Sequence, residues 1–178
     1  NLGEGAGYLL LESEKMVCNK EVLCEITGYG NANDAFHQTA LSPEGRGAYL
    51  AMKSALDIAG LSDSDIDYIN AHGTATQNND LAEGMAIQQL FSTHVPCFSS
   101  TKPMTGHLLG ASGAVEAGIC IMAIKKGFVP PNLNFKTQMK ELNIKPITTA
   151  VTNVTICHAM SNSFGFGGNN TALIFSKI

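Results

Sequence analysis

The sequence has no excess of basic residues: eleven Lys and Arg stand against fifteen Asp and Glu, a net charge of -4 over 178 residues. Without a basic stripe to neutralise phosphates, nucleic acid is a poor candidate partner. Long hydrophobic runs are missing too. The longest, Ala117 to Ile124, follows a glutamate and falls well short of the ~20 residues needed to cross a bilayer, so no membrane partner is expected. The five cysteines, Cys18, Cys24, Cys97, Cys120 and Cys157, are odd in number and never spaced C-x-x-C. Neither a disulfide framework nor a zinc ribbon follows from them; they read as packed small hydrophobes in a reducing cytoplasm. The histidines, at 37, 72, 94, 107 and 158, show no H-x-x-x-H pairing, which leaves zinc as a rival without a pattern. Low-complexity segments and short-period repeats are absent. So are an initiator Met and a signal-peptide layout: the chain opens Asn1-Leu2-Gly3-Glu4-Gly5, and a fragment is expected.

What is present is enough apolar content, 44%, to fill the core of one domain. Tyr8 to Leu11 reads as a buried strand and Val22 to Tyr29 as a second. Ser42-Pro43 offers a hydroxyl cap with Pro at the first helical position. Behind it Ala48, Ala51, Met52, Ala55 and Ile58 form a helical stripe closed by Gly60. Ile66 to Ala71 and Cys97 to Ser100 are strand-like, and Asp80 to Phe91 has helical spacing after an Asp80-x-x-Glu83 capping box. Gly110 to Lys126 reads as a buried helix with one flank, Gly110, Gly113, Ala114, Ala117 and Gly118, bare enough for close approach by backbone. After an irregular segment from Pro130 to about Pro146, Ala150 to Ile156 and Ala172 to Phe175 are strand candidates around a glycine cluster. Alternating strands and helices predict an α/β sheet with helices on both faces.

Three loops combine polar residues with glycines at predicted strand ends, where open α/β sheets place their ligand crevices. In Asn70-Ala71-His72-Gly73-Thr74-Ala75-Thr76, the histidine is either structural or an acid–base residue, and the flanking hydroxyls and Gly73 favour chemistry. In Ser99-Ser100-Thr101-Lys102-Pro103-Met104-Thr105-Gly106-His107, a position near a helix N-terminus would hold the His107 imidazole neutral. It could then donate a ring N–H to a carbonyl, as an oxyanion stabiliser does. Lys102 reads either as a solvated or ion-paired side chain or as part of that site. The third loop, Ser161-Asn162-Ser163-Phe164-Gly165-Phe166-Gly167-Gly168-Asn169-Asn170, is either a tight turn or a place where backbone N–H groups face a crevice beside a movable ring. Asp80 and Glu83 need mean nothing beyond helix capping. Glu116 is harder to dismiss, because an unpaired charge in so apolar a helix is costly.

N-A-H-G-T-A-T, S-S-T-K-P-M-T-G-H-L-L-G-A-S-G and S-N-S-F-G-F-G-G-N-N, in that order and with G-E-G-A-G at the start, resemble the C-terminal half of the elongating β-ketoacyl-acyl carrier protein synthases. The resemblance runs over essentially the whole chain. It implies the thiolase-like fold, of which this chain would be the C-terminal half: a five-stranded mixed sheet with helices on both faces. Residues 1–15, with the strand Gly5 to Leu11, would be the end of the N-terminal half. The implied reaction is a decarboxylative Claisen condensation between an acyl thioester on a cysteine and malonyl-acyl carrier protein. The implied partners are that carrier protein and a second copy in a homodimer.

The resemblance assigns His72 and His107 as catalytic histidines, whose N–H groups would stabilise the enolate left by carbon dioxide. Lys102 would support them through Glu83 and the second histidine, with Asp80 beside Glu83. Phe166 would be the gatekeeper whose backbone N–H helps form the thioester oxyanion hole, and Thr74 and Thr76 would bind the pantetheine arm. Asn70, Glu116, Ser161 and Asn170 would hold a structural monovalent cation; no cofactor is implied for catalysis. Ala75 and Asn169 depart from the usual Ser and Thr, away from the proton-transfer atoms. The nucleophilic cysteine is the large departure, since none of the five cysteines lies in a nucleophile elbow. These residues by themselves are therefore expected not to condense anything. The same resemblance admits a non-catalytic chain-length-factor partner, which lacks that nucleophile. A thiolase fits less well, because it needs a second cysteine near a glycine loop that here contains none.

Overall fold

Close approach at two glycines decides how the first strand meets the first helix. The computed structural model describes residues 1–18 and 20–178. β1 (Glu25–Asn33) lies under α1 (Arg46–Ala59); a Cβ on Gly30 would come within 1.9 Å of the Ala51 carbonyl oxygen, and one on Gly28 within 2.3 Å of the Ala55 oxygen. α1 buries Ala48, Ala51, Met52 and Ala55 as its periodicity predicts, while Ile58 stays 49% exposed. Gly60 closes it in the left-handed region at φ 66°. The helix starts later than Ser42-Pro43 suggests. Asp34 accepts the Ser42 and Gly47 N–H groups, and Ser42 Oγ accepts the Arg46 N–H at 3.1 Å, so the cap acts from a turn ahead of the helix.

The remaining elements are β2 (Tyr68–Asn70), α2 (Gln77–Leu90), β3 (Cys97–Ser99), α3 (Lys102–Thr105), α4 (Ser112–Lys126), β4 (Phe128–Val129), β5 (Val151–Thr152), β6 (His158–Phe164) and β7 (Asn169–Ser176). A five-stranded sheet runs in the order β1-β7-β6-β2-β3. Its β6-β2-β3 part is parallel and its β1-β7-β6 part antiparallel, so the sheet is mixed. Alternation along the strands separates two cores. Ile69, Met160 and Ile174 pack with α1 and α2, whereas Tyr68, Ala159 and Phe175 pack with α4. Helices therefore cover both faces, as the α/β alternation predicts. Among the described residues no helix is long and apolar enough to cross a membrane.

Three expectations need correction. Tyr8 to Leu11 is neither a strand nor buried: Tyr8 is 94% exposed and Leu10 87%. Only Leu2 forms a bridge, to His107, and an apolar run without a ladder partner has nothing to bury it. Ala150 to Ile156 contributes only the short β5, paired with β4 outside the main sheet, while Ile156 packs under α4. The bare flank of α4 is met by the N-terminal segment at one place, where a Cβ on Gly7 would lie 2.8 Å from Ala114; Gly118 and the preceding Gly110 have nothing within 4 Å.

Candidate active site

β2, β3 and β6 are parallel, so their C-terminal ends open on one edge, and the three loops meet there. After β2, the His72 and Gly73 N–H groups donate to the two oxygens of Glu83 at 2.8 and 2.9 Å. Asn162 of β6 donates to the same carboxylate at 3.2 Å. Burial pushes the Glu83 carboxyl above its ordinary range, and these N–H groups and Lys102 counter it. The Asp80-x-x-Glu83 capping box is not formed. Thr76 caps α2 instead, which puts Glu83 inside the helix and frees its carboxylate to hold the His72 loop. Asp80 accepts the Ala75 N–H at 3.2 Å. Gly73 has φ 43°, and a Cβ there would meet Ser100 at 2.4 Å, so the turn demands glycine.

Lys102, at the start of α3, is buried, and its Nζ lies 2.5 Å from Glu116 Oε1 and 3.4 Å from His72 Nδ1. The Lys102 charge acts on Glu83 and His107, while its direct contacts are to Glu116 and His72. This pairing answers the question of Glu116, which reaches from α4 to meet the lysine. An ammonium can only donate, so His72 Nδ1 is the bare acceptor and the ring proton sits on Nε2. Burial, then Lys102 and His107, lower the His72 pKa to about 3.

His107 mirrors this arrangement. Its Nδ1 faces the Leu109 N–H at 3.2 Å and Ser112 Oγ at 3.1 Å, which again leaves the proton on Nε2. Desolvation and then Lys102 hold this imidazole below its ordinary value. Neutrality was expected from the dipole of the following helix; the contacts here are burial, the lysine charge and a backbone donor just ahead of α4. The two rings stand 5.4 Å apart at 85°, and Phe164 packs on His72 at 5.9 Å. Both imidazoles are thus held neutral, each with one N–H free to donate.

His72 makes stability depend on pH. Its folded pKa lies below the ordinary 6.5, so between 6.5 and about 3 the unfolded chain binds a proton that the folded chain does not. Stability contributed by the neutral ring is therefore full above that window and falls as pH drops through it. Urea unfolding of the wild type and of His72→Gln across this range is expected to show a smaller acid loss in the variant.

Phe166 stands 78% exposed on the third loop, between β6 and β7. The loop is held by the Gly167 N–H to Gln38 O, 2.7 Å, and by Asn33 Nδ2 to Gly167 O, 2.8 Å. Thr74 and Thr76 hydroxyls lie 3.1 Å apart at the mouth of the first loop. A cavity of about 650 Å³, lined in part by Thr74, Lys102, Met104, His107 and Phe135, opens beside them. The structure divides the expected cation set. Asn70 and Ser161 are register partners, and they alternate with Tyr68 and Ala159 on the face that α4 covers, from which Glu116 comes. Asn170 alternates with Ala172 and Ile174 toward the opposite face, where it donates to Gly168 O at 2.8 Å. Period-two alternation therefore removes Asn170 from the set. Asn70 Oδ1 and Nδ2 and Glu116 Oε2 are buried without a partner among the described residues.

The sequence reading missed Asn162, Phe164, Leu109 and Ser112. Asn162 and Phe164 lie in β6, an S-N-S-F segment read as loop because Ser and Asn are sparse in strands. Their alternation with Ser161 and Ser163 was the available signal.

The family model described as Beta-ketoacyl synthase, C-terminal domain, matches residues 23–136. The chain is 43% identical over 181 residues to "3-oxoacyl-[acyl-carrier-protein] synthase 2" of Staphylococcus aureus (strain COL), covering 99% of the chain and 44% of that protein. It thus spans less than half the length of the curated relatives it matches. Among solved structures, "The ishigamide ketosynthase/chain length factor" superposes with a TM-score of 0.91 at 36% identity, covering 99% of this chain and 44% of that one. A type II PKS acyl-carrier protein in complex with its ketosynthase bound to the hexaketide superposes with a TM-score of 0.86 at 29% identity, covering 94% of this chain and 42% of that one.

Proposed function

The chain belongs to the β-ketoacyl synthase family, and we propose that the protein carrying it is a 3-oxoacyl-acyl carrier protein synthase of the elongating type. The observation that carries this reading is the pair of neutral imidazoles, each with a donor on Nδ1 and therefore a proton on Nε2. When the malonyl thioester loses carbon dioxide, the electrons of the breaking C–C bond move toward the thioester oxygen. Two N–H groups stabilise that enolate without protonating it, which imidazolium ions would do. The carbanion carbon then attacks an acyl thioester, whose thiolate leaves as the new C–C bond forms.

In this reading His72 and His107 are the catalytic donors. Lys102 orients His72, and Glu83 holds the loop on which His72 sits. Phe166 gates the acyl thioester and lends it a backbone N–H. Thr74, which lines the cavity, and Thr76, whose hydroxyl lies 3.1 Å from that of Thr74, hold the pantetheine arm. A monovalent cation, if bound, would sit against Asn70, Ser161 and the free oxygen of Glu116, as a structural group with no step in the chemistry. Acyl carrier protein is the proposed partner, a homodimer the proposed assembly and the cytoplasm the proposed location. The acyl-accepting cysteine lies outside these residues.

A second reading is a non-catalytic partner subunit, because the ishigamide structure on which the chain superposes is titled for both a ketosynthase and a chain length factor. Peptide mass spectrometry of the full-length protein after incubation with acyl-carrier protein separates the two. The proposal expects one cysteine outside these 178 residues to become acylated. A folded protein with no acylated cysteine would assign it to the partner class.

A further inference from the structure

His107 meets two potential donors at one nitrogen. The Leu109 N–H, 3.2 Å from Nδ1, cannot accept, so it makes Nδ1 the unprotonated nitrogen. Ser112 Oγ, 3.1 Å from the same atom, accepts the Leu108 N–H at 3.0 Å. With one lone pair taken by that amide, and with Nδ1 already bare, the hydroxyl proton points to the ring. Ser112 is the first residue of α4 and is only 5% exposed, so water does not compete freely for either bond.

We propose that Ser112 is a positioning residue for His107, its hydroxyl bridging the Leu108 amide to Nδ1 and so aiming Nε2–H into the site. This rests on the reading of His107 as an enolate stabiliser. The backbone shows why a brace is needed. Leu108, at ψ 10°, sets the peptide plane that turns the Leu109 N–H back onto the ring, and the chain then has to enter α4 through Leu109 at φ 52°, a left-handed conformation that disfavours leucine. Ser112 clamps the residue just before that twist. Without the hydroxyl, the Leu108–Leu109 peptide plane is free to turn as Leu109 relaxes toward ordinary φ, which carries the N–H away, and Nδ1 then loses both donors. The ring becomes able to rotate and to exchange tautomers. His72 has no equivalent need, because its donor is the buried Lys102 ammonium.

In the full-length protein, Ser112→Ala is expected to lower kcat for decarboxylation of malonyl-loaded carrier protein about tenfold, with KM within about twofold and acyl transfer to the nucleophile unchanged. Ser112→Thr, which keeps the hydroxyl, is expected to recover most of the rate. Nitrogen NMR of labelled histidine reads the brace independently of activity. Wild type and Ser112→Thr are expected to show His107 as the Nε2–H tautomer with a hydrogen-bonded Nδ1. Ser112→Ala is expected to lose that signature and average between tautomers. An unchanged His107 spectrum in Ser112→Ala overturns the proposal, whatever the activity. A spectrum that changes as expected in a protein that never decarboxylates upholds the brace and overturns the functional reading instead.

Discussion

His107→Ala in the full-length protein is expected to abolish malonyl decarboxylation while leaving acyl transfer onto the nucleophile intact. The two half-reactions draw on different groups in the proposed site. Acyl loading needs the cysteine and the backbone N–H near Phe166, whereas decarboxylation needs donors at the malonyl oxygen. Loss of one preorganised donor to a developing oxyanion costs about 10²–10³ in rate. His107→Asn keeps an N–H of similar reach and is expected to lose less. The acid side of the profile carries the same signature. Both imidazoles are held below their ordinary pKa, so protonation silences the wild type only at a pH below the usual imidazole range. Decarboxylation by single-turnover release of labelled carbon dioxide, run beside acyl loading by mass spectrometry, measures both steps. Unimpaired decarboxylation in His107→Ala would sink the assignment.

Lys102→Met is expected to damage stability and chemistry together, and a second substitution to separate them. Lys102 and Glu116 are side chains 5% and 4% exposed, with Nζ and Oε1 2.5 Å apart. Removing one member of a buried pair leaves an uncompensated charge and costs about 3–5 kcal/mol. Chemistry suffers for a different reason: His72 Nδ1 loses its donor, so the ring no longer has its proton committed to Nε2. Loss of the nearby positive charge also lets both imidazoles bind protons more readily, which moves the acid limb of the rate upward in pH. Adding Glu116→Leu removes the stranded charge, so the double variant is expected to regain most of the stability and none of the rate. Urea unfolding paired with decarboxylation kinetics checks this. Recovery of both would make Lys102 a purely structural residue.

The site was legible to the extent that its chemistry is carried by residues adjacent in sequence. Each loop holds its own histidine, lysine or glycine run, and parallel strands deliver the three loops to one edge. Glu116 was legible as a problem, a charge in an apolar helix, without its solution. Its partner Lys102 lies on another element, and only packing brings α3 against α4. Glu83 misled for a related reason. Spacing from Asp80 fits a capping box, but Thr76 opens the helix a turn earlier and turns the carboxylate onto the His72 amide. Asn170 was misplaced because its sheet face depends on the register of β7, which a run of glycines and asparagines does not reveal. β6 was hidden by composition. Ser161, Asn162 and Ser163 suit a loop, and they form a strand because β7 pairs with all three and β2 flanks the strand on its other side as far as Ser161.

By itself the sequence determined the α/β class, the helical stripe of α1, the closing Gly60 and the three loops with His72, Lys102, His107 and Phe166, because these depend on local periodicity and short-range turn chemistry. Tertiary structure alone decided which nitrogen of each imidazole carries the proton, which carboxylate answers Lys102 and which asparagines share a face. Those depend on donors and charges brought together from separate elements. A hydrogen bond of about 3 Å between residues far apart in the chain leaves no periodic trace in the sequence.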